Sequence, residues 1–404
     1  MLPKGWTQNA LRENIRIHSG HAPGNLDLLP KGEIPYVKVE DLNNCDKYQS
    51  HSREYLESCR SVVPAQSLVF PKRGAAIFAN KIRIAARPIA LDTNLMAVEI
   101  VKGLDAEYLY YAISFAGLHQ LADTSTIPQL NNKHVLPYVL PRPSLKEQRR
   151  IAHILSTWDQ AIATTERLLK NSQKQMDILL RDLTLGTHRT TSTPSPWAKF
   201  TLGELGRTYS GLSGKKGEDF GFGAKFIPYT NVFKNNRIDI EDFALVKISE
   251  NENQTRVKPG DVIFTISSET PNEVGMASVL LDDVDELYLN SFCFGYRLND
   301  FKTLLPEYAG FVLRAPHIRA LMTQIAQGST RFNISKANVM RMELALPSIA
   351  EQKRIASILG GAHSTVKNLR DQLARLKAEK IILMSQLLTG KRRVRLQADE
   401  AESA

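Results

Sequence analysis

One motif in this chain is written twice. PSLKEQRRIAHIL beginning at Pro143 returns as PSIAEQKRIASIL beginning at Pro347, and each copy opens a helix-patterned stretch of the same length, closing on LTLG at Gly186 or LLTG at Gly390. Such a repeat constrains architecture more tightly than composition can, because each copy must build the same kind of unit. The duplication reaches beyond the helices. Trp6, Leu11 and Glu13 match Trp197, Leu202 and Glu204; Ile34-Pro35-Tyr36 matches Ile227-Pro228-Tyr229; Leu68-Val69-Phe70 matches Val262-Ile263-Phe264; Glu107-Tyr108 matches Glu307-Tyr308; and Ser125-Thr126 matches Ser329-Thr330. The interval between partners widens through the segments before each helix and stays constant along the helices, so insertions have collected only in the globular parts.

Residues 1–143 therefore make a first globular unit and 144–186 a first helix, while 187–196 (THRTTSTPSP) is a linker whose Ser, Thr and Pro cannot continue it. Residues 197–346 repeat the unit, 347–390 repeat the helix, and 391–404 form a tail that begins basic, KRRVR, and ends acidic. Within each unit short β-rich runs alternate with turn residues: Ile34 to Val39, Ser67 to Phe70, Ile82 to Ala86 and Leu95 to Val101, then Phe226 to Val232, Asp261 to Ile266, Ala277 to Leu281 and Phe292 to Leu298. One helix-like segment follows them, 105–122 in the first unit and 306–326 in the second. Strands followed by a helix are an α+β pattern, not a run of βαβ repeats.

The long helices carry a seam. Ile151, Ile154, Trp158, Ile162, Thr165, Leu169, Met176, Leu180 and Leu183 recur at three-to-four spacing, as do Ile355, Ile358, Ala362, Val366, Leu369, Leu373, Leu376, Leu383 and Leu387. This is coiled-coil spacing. The first helix delivers the chain to the second unit and the second helix leaves that unit, so a pair formed within one chain runs antiparallel. Each helix spans about 60 Å at the usual rise per residue. The fold expected is α+β: two repeated α/β domains joined by two long antiparallel coiled-coil helices, with pseudo-twofold symmetry.

Charge points to the partner. A net charge of +10 and a pI near 9.4 favour a polyanion such as nucleic acid. Cys45, Cys59 and Cys293 lack C-x-x-C spacing, which argues against a disulfide framework or zinc site and for reduced thiols in a cytoplasmic protein. The N-terminal MLPKGWTQNALRENIRI has no apolar signal core, and no run of apolar residues is long enough to span a bilayer.

The order of unit, P-S-x-x-EQ-x-x-IA helix, unit and the same helix again resembles the DNA-specificity subunit of type I restriction-modification enzymes. The IPY near the start of each unit and the Leu68-Val69-Phe70 type of strand fit the same family. The resemblance implies two target recognition domains separated by helical spacers, each domain reading one half of a bipartite, asymmetric site on double-stranded DNA. It implies two methyltransferase subunits docked on the spacer and restriction-translocase subunits outside them. It also implies a chain without catalytic groups or cofactors of its own, with S-adenosylmethionine, ATP and magnesium on the partner subunits.

The residues themselves agree with that division of labour. An amino-methyltransferase needs an (N/D/S)-P-P-(Y/F/W) tetrapeptide, and no Pro-Pro pair occurs; the nearest glycine pair, Gly221 and Gly223, precedes its strand. Gly211 to Lys216 (GLSGKK) fails the phosphate-binding loop in spacing and in its missing hydroxyl. Glu351-Gln352-Lys353 has a nuclease-like E-x-K shape, but a carboxylate in a helix's first turn is accounted for by the helix dipole. The alternatives are a solitary DNA methyltransferase or nuclease with duplicated recognition domains, and a coiled-coil scaffold.

Two loops in each unit carry side chains suited to DNA. Phosphate contacts come from Lys, Arg and small polar groups, and base readout from bidentate Arg, Asn, Gln or Lys. In the first unit Lys72 and Arg73 end one strand and Asn80, Lys81 and Arg83 lead into the next; the matching stretch of the second unit, Thr265, Ser267 and Ser268, is polar but not basic. The second loop holds Thr126, Gln129, Asn131 and Lys133 in the first unit and Thr330, Arg331, Asn333 and Lys336 in the second. Lys38 and Asn231, just after each IPY, are further candidates. No residue is read as catalytic or metal-binding.

Overall fold

A computed structural model of the chain describes residues 2–123, 127–190 and 196–395. It divides into two compact units, one of residues up to 166 with those from 371 on, the other of residues 167–370. The division falls inside the long helices, Leu145–Leu185 and Ile349–Leu388, so each unit takes part of both.

In the first unit the main sheet runs Ile15–Ser19, Leu95–Ile100, Leu68–Pro71, Arg83–Ala85, Tyr48–Gln49. In the second it runs Gly206–Ser210, Cys293–Leu298, Val262–Thr265, Ala277–Val279, the same order without the last strand. Each unit adds a three-stranded sheet, with Ile34–Val37 central in one and Phe220–Ile227 in the other. The uninterrupted apolar strands are explained by what lies on either side. Leu68 and Phe70 pack toward the long helices while Val69 faces a smaller core with Val37 and Leu91; Val262 and Phe264 divide from Ile263 in the same way. A strand buried on both faces has no polar alternation to show.

Some local expectations fail for identifiable reasons. The run from Phe226 to Val232 is a strand only to Ile227, and Pro228 then caps a helix, Tyr229–Lys234, whereas the matching Pro35 stays within its strand. The single helix of the first unit stops at Ala116, where Gly117 turns to φ +88°; its counterpart splits into Pro306–Val312 and Pro316–Gln324. In the seam, Ile151, Thr165, Leu183, Ile355, Val366 and Leu387 are buried as the spacing predicts, but at one step the buried residue is Leu155 or Leu359, one position after Ile154 or Ile358, and Ile358 is 42% exposed. All three thiols are free.

Within each unit the two long helices run antiparallel. In the first, Lys380 pairs with Asp159 and Lys377 with Glu166 at 2.7 Å, while Met384, Leu387 and Leu388 share one core with Ile151, Ala152 and Leu155. In the second, Leu183 shares a core with Ile355 and Leu359.

The repeated Glu-Gln pair is a structural clamp. Ser144 and Ser348 cap the helices through the amides of Glu147 and Glu351. Gln148 accepts from the Asp105 amide and donates to the carbonyls of Gly103 and Pro143; Gln352 accepts from the Leu305 amide and donates to those of Thr303 and Pro347. Each glutamate holds the arginine that follows the other helix. Glu147 receives Arg393 at 2.9 and 3.1 Å and the Trp6 indole at 3.2 Å. Glu351 receives both donors of Arg189 at 2.9 Å, and Arg189 lies over the Trp197 ring. Gly186 and Gly390 end the helices at φ +72° and +76°; a Cβ at Gly186 would press against Trp197, and one at Gly390 against Pro3, with Trp6 next.

Arg189 holds the Glu351 carboxyl below the ordinary carboxylate range. Arg189→Ala leaves that buried charge without its cation, and unit stability should fall by about 3 kcal/mol, read as a lower denaturant midpoint. A depressed folded-state pKa gives stability that is present above the unfolded value and lost as pH falls through the folded one. The gap between wild type and variant should therefore be widest at neutral pH and close in acid.

Candidate nucleic-acid interface

The two candidate loops of each unit meet. In the first unit Arg73 bridges Gln129, which bridges Asp123: the Gly74 N–H to Pro128 carbonyl and Leu130 N–H to Lys72 carbonyl bonds join two segments at 2.9 Å, and Asp123 and Gln129 exchange backbone bonds at 2.9 Å to add the third. In the second unit Ser267 pairs with Asn333, which bridges Gln327, and Ile334 N–H reaches the Ile266 carbonyl at 3.0 Å. The same small ribbon is thus built twice, with Gln129 and Asn333 at its centre. Both amides are exposed. A two-stranded ribbon fits a DNA major groove, and an amide on it can bind adenine bidentately.

The ribbons differ in charge. The first carries Lys72 and Arg73, the ammonium of Lys72 being shifted down by burial and by its neighbour's like charge. Exposed Lys133 and Asn132 follow on the short helix Asn132–Val135, whose N-cap is Asn131. The second displays Ser268, Glu269, Thr330 and Arg331, whereas Ser267, also a sequence candidate, is buried and gives the ribbon only its backbone. Thr126 lies outside the described residues.

Several sequence candidates turn inward. Arg83 spends its guanidinium on the carbonyls of Cys45, Ile82 and Leu42. Asn80, at φ +51°, donates to the Ser114 carbonyl and accepts from the Leu118 amide, so its side chain ties the loop to the helix end. Thr265 is fully buried and its hydroxyl accepts from the Met276 amide. Asn231 is likewise buried, bonded to the carbonyls of Asp239 and Asp242. Lys336 donates to Ser210 at 2.7 Å, Lys38 is paired with Glu54, and Lys81 is half-buried. Basic or polar character alone could not separate these from the ribbon residues, because a hairpin needs inward polar groups to satisfy its own backbone.

What the sequence reading missed is aromatic. Phe78 is 58% exposed and stacked on His119 beside the first ribbon, and Phe292 is 54% exposed under the Arg331 guanidinium beside the second. Phe78 stands in a loop without strand alternation, a usable signal; Phe292 reads as the first residue of a strand that begins at Cys293. Among the described residues no cluster of His, Cys, Asp or Glu is placed to hold a metal, and no helix is long and apolar enough to cross a membrane.

The profile of the family described as Type I restriction modification DNA specificity domain matches residues 3–172 and again residues 194–378. This chain belongs to that family. It is a type I specificity subunit, which recognises DNA sequence and is not itself a catalyst. The specificity subunit is similar to the MjaVIII specificity subunit of Methanocaldococcus jannaschii, 22% identical over 410 residues that cover 98% of this chain and 94% of the relative. Its fold is similar to that of the type I S subunit from M. genitalium, with a TM-score of 0.60 at 14% identity over 97% of each chain. A chain solved in work on complex assembly and conformational transition of the type I system gives a TM-score of 0.58 at 17% identity, covering 97% of this subunit and 100% of that chain.

Outward and inward arginines of the specificity subunit should separate in experiment. Arg73→Ala is expected to leave the melting curve in place and to reduce the salt slope of DNA binding by the assembled complex by about 1. Arg83→Ala should destabilise by about 1–3 kcal/mol through its orphaned carbonyls and leave the preferred sequence unchanged. The reverse pattern would put Arg83 at the DNA.

Proposed function

We propose that each unit reads one half of a bipartite, asymmetric site on double-stranded DNA, with its ribbon entering the major groove. The observation that carries this reading is the ribbon itself. Arg73, Gln129 and Asp123 in one unit and Ser267, Asn333 and Gln327 in the other share a backbone pairing while differing in side chain. Two readers of one design with different faces suit two different half-sites.

The long helices, in this reading, set the gap between the half-sites and dock two methyltransferase subunits, with restriction-translocase subunits attached beyond them. Their outward faces are more apolar than a solvated helix needs: Ile381 and Ile382 are 64% and 58% exposed, and Leu168 and Ile178 are exposed too. The adjacent Ile381 and Ile382 offer such a partner an apolar contact. S-adenosylmethionine, ATP and magnesium belong to those partners, and the cytoplasm is where the complex meets its DNA.

Reconstitution tests the assignment. The purified chain should neither methylate nor cleave DNA, and adding the methyltransferase subunits should produce a modified adenine in each half of one bipartite motif. Methylation by the chain alone, or a single undivided motif, would overturn it.

A further inference from the structure

The second ribbon borders a recess of about 360 Å³ lined by Tyr229, Phe233, Ser267, Ser268, Glu269, Glu273, Phe292 and Arg331. One wall is rigid. Tyr229 stacks on Phe233 at 5.9 Å and 17°, and its hydroxyl donates to the Ser267 carbonyl at 2.8 Å, fixing the wall to the ribbon. Across from it Arg331 is exposed, with its guanidinium 5.9 Å from the centre of the Phe292 ring.

Five other guanidiniums of this unit are occupied, and exposed Arg207 and Arg341 do not line the recess. Arg237 holds Asp282, Arg256 holds Glu286, Arg297 holds Asp261, and Arg314 and Arg319 bind backbone carbonyls. Among the described residues no hydrogen bond or ion pair engages the Arg331 guanidinium. An aromatic face beneath it orders the guanidinium while leaving its edge donors open, and an open, ordered fork is what binds guanine O6 and N7 bidentately.

The carboxylates also divide. Glu273 accepts from the hydroxyls of Thr270 and Ser268, whereas Glu269 is exposed and has no partner among the described residues. A bare carboxylate at a DNA-facing ribbon is repelled by phosphate and weakens binding to every sequence. It is tolerated there if it accepts from a base amino group, and a carboxylate suits the N4 amino group of cytosine. The equivalent strand of the first unit carries Lys72 and Arg73, so the second unit has exchanged general attraction for discrimination.

We infer that Arg331 and Glu269 are specificity-determining residues of the second unit, Arg331 reading a guanine and Glu269 the amino group of a cytosine in its half-site. Phe292 is a positioning residue for Arg331. The inference rests on the DNA-reading role proposed above.

The test uses the complex reconstituted with its methyltransferase subunits and a duplex library randomised across the site. Wild type should select a bipartite motif with a guanine and a cytosine in one half. Arg331→Ala and Arg331→Lys should each lose about 5- to 150-fold discrimination at that guanine only, since a lysine keeps the charge but not the fork. Glu269→Gln should lose the cytosine preference and gain adenine, which an amide binds bidentately. If wild type selects a motif and Arg331→Lys leaves it unchanged, Arg331 contacts phosphate and the inference fails. It fails equally if Glu269→Gln only raises affinity for all sequences. If wild type selects no motif, the DNA-reading proposal itself is wrong.

Discussion

A buried carboxylate at the start of each long helix is the interaction on which the rest of this architecture depends. Glu147 and Glu351 are each 2% exposed, and a charge so deeply placed must be matched by a cation. The cation arrives from the segment after the opposite helix, Arg393 in one unit and Arg189 in the other. The neighbouring glutamine fixes the loop that precedes the same helix. Helix start, helix end and globular sheet are thereby tied at one point in each unit, through contacts that tolerate little change of length or residue type.

That rigidity at the base explains the freedom at the ribbon. The loops that carry Arg73 and Gln129, or Ser267 and Asn333, are held by backbone hydrogen bonds, which do not depend on side-chain identity. Exposed side chains on such a ribbon can change without loss of fold, whereas Arg83 or Thr265, whose polar atoms satisfy buried backbone groups, cannot. Affinity and selectivity divide along the same line. On the proposed reading, Lys72 and Arg73 would attract any duplex, while Glu269 beside Arg331 would give up attraction for choice.

Much of this was legible in the sequence because it was repeated. The duplicated EQ helix start marks both long helices, Leu145–Leu185 and Ile349–Leu388, and the restarted strands mark the second sheet. The helix dipole accounts for Glu351 only in part, since its arginine partner stands 162 positions away and no local pattern points to it. The inward turn of Arg83, Asn80 and Thr265 was hidden for the same reason: whether a polar side chain faces solvent or a distant carbonyl depends on tertiary neighbours. Phe292 escaped because a residue at a strand edge looks like core until the strand's true start is known.

On the proposed reading the units read DNA, and the helices, besides docking partners, set the distance between the readings. Inserting four residues into each long helix, near exposed Lys170 and Asp371, adds about 6 Å of rise and about 40° beyond a full turn, which keeps the apolar seam in approximate register. The methylome of cells carrying the complete system then decides. The account predicts a gap longer by one or two base pairs, at about 3.4 Å each, between two half-sites whose sequences are unchanged. An unchanged gap, or an altered half-site, would contradict it.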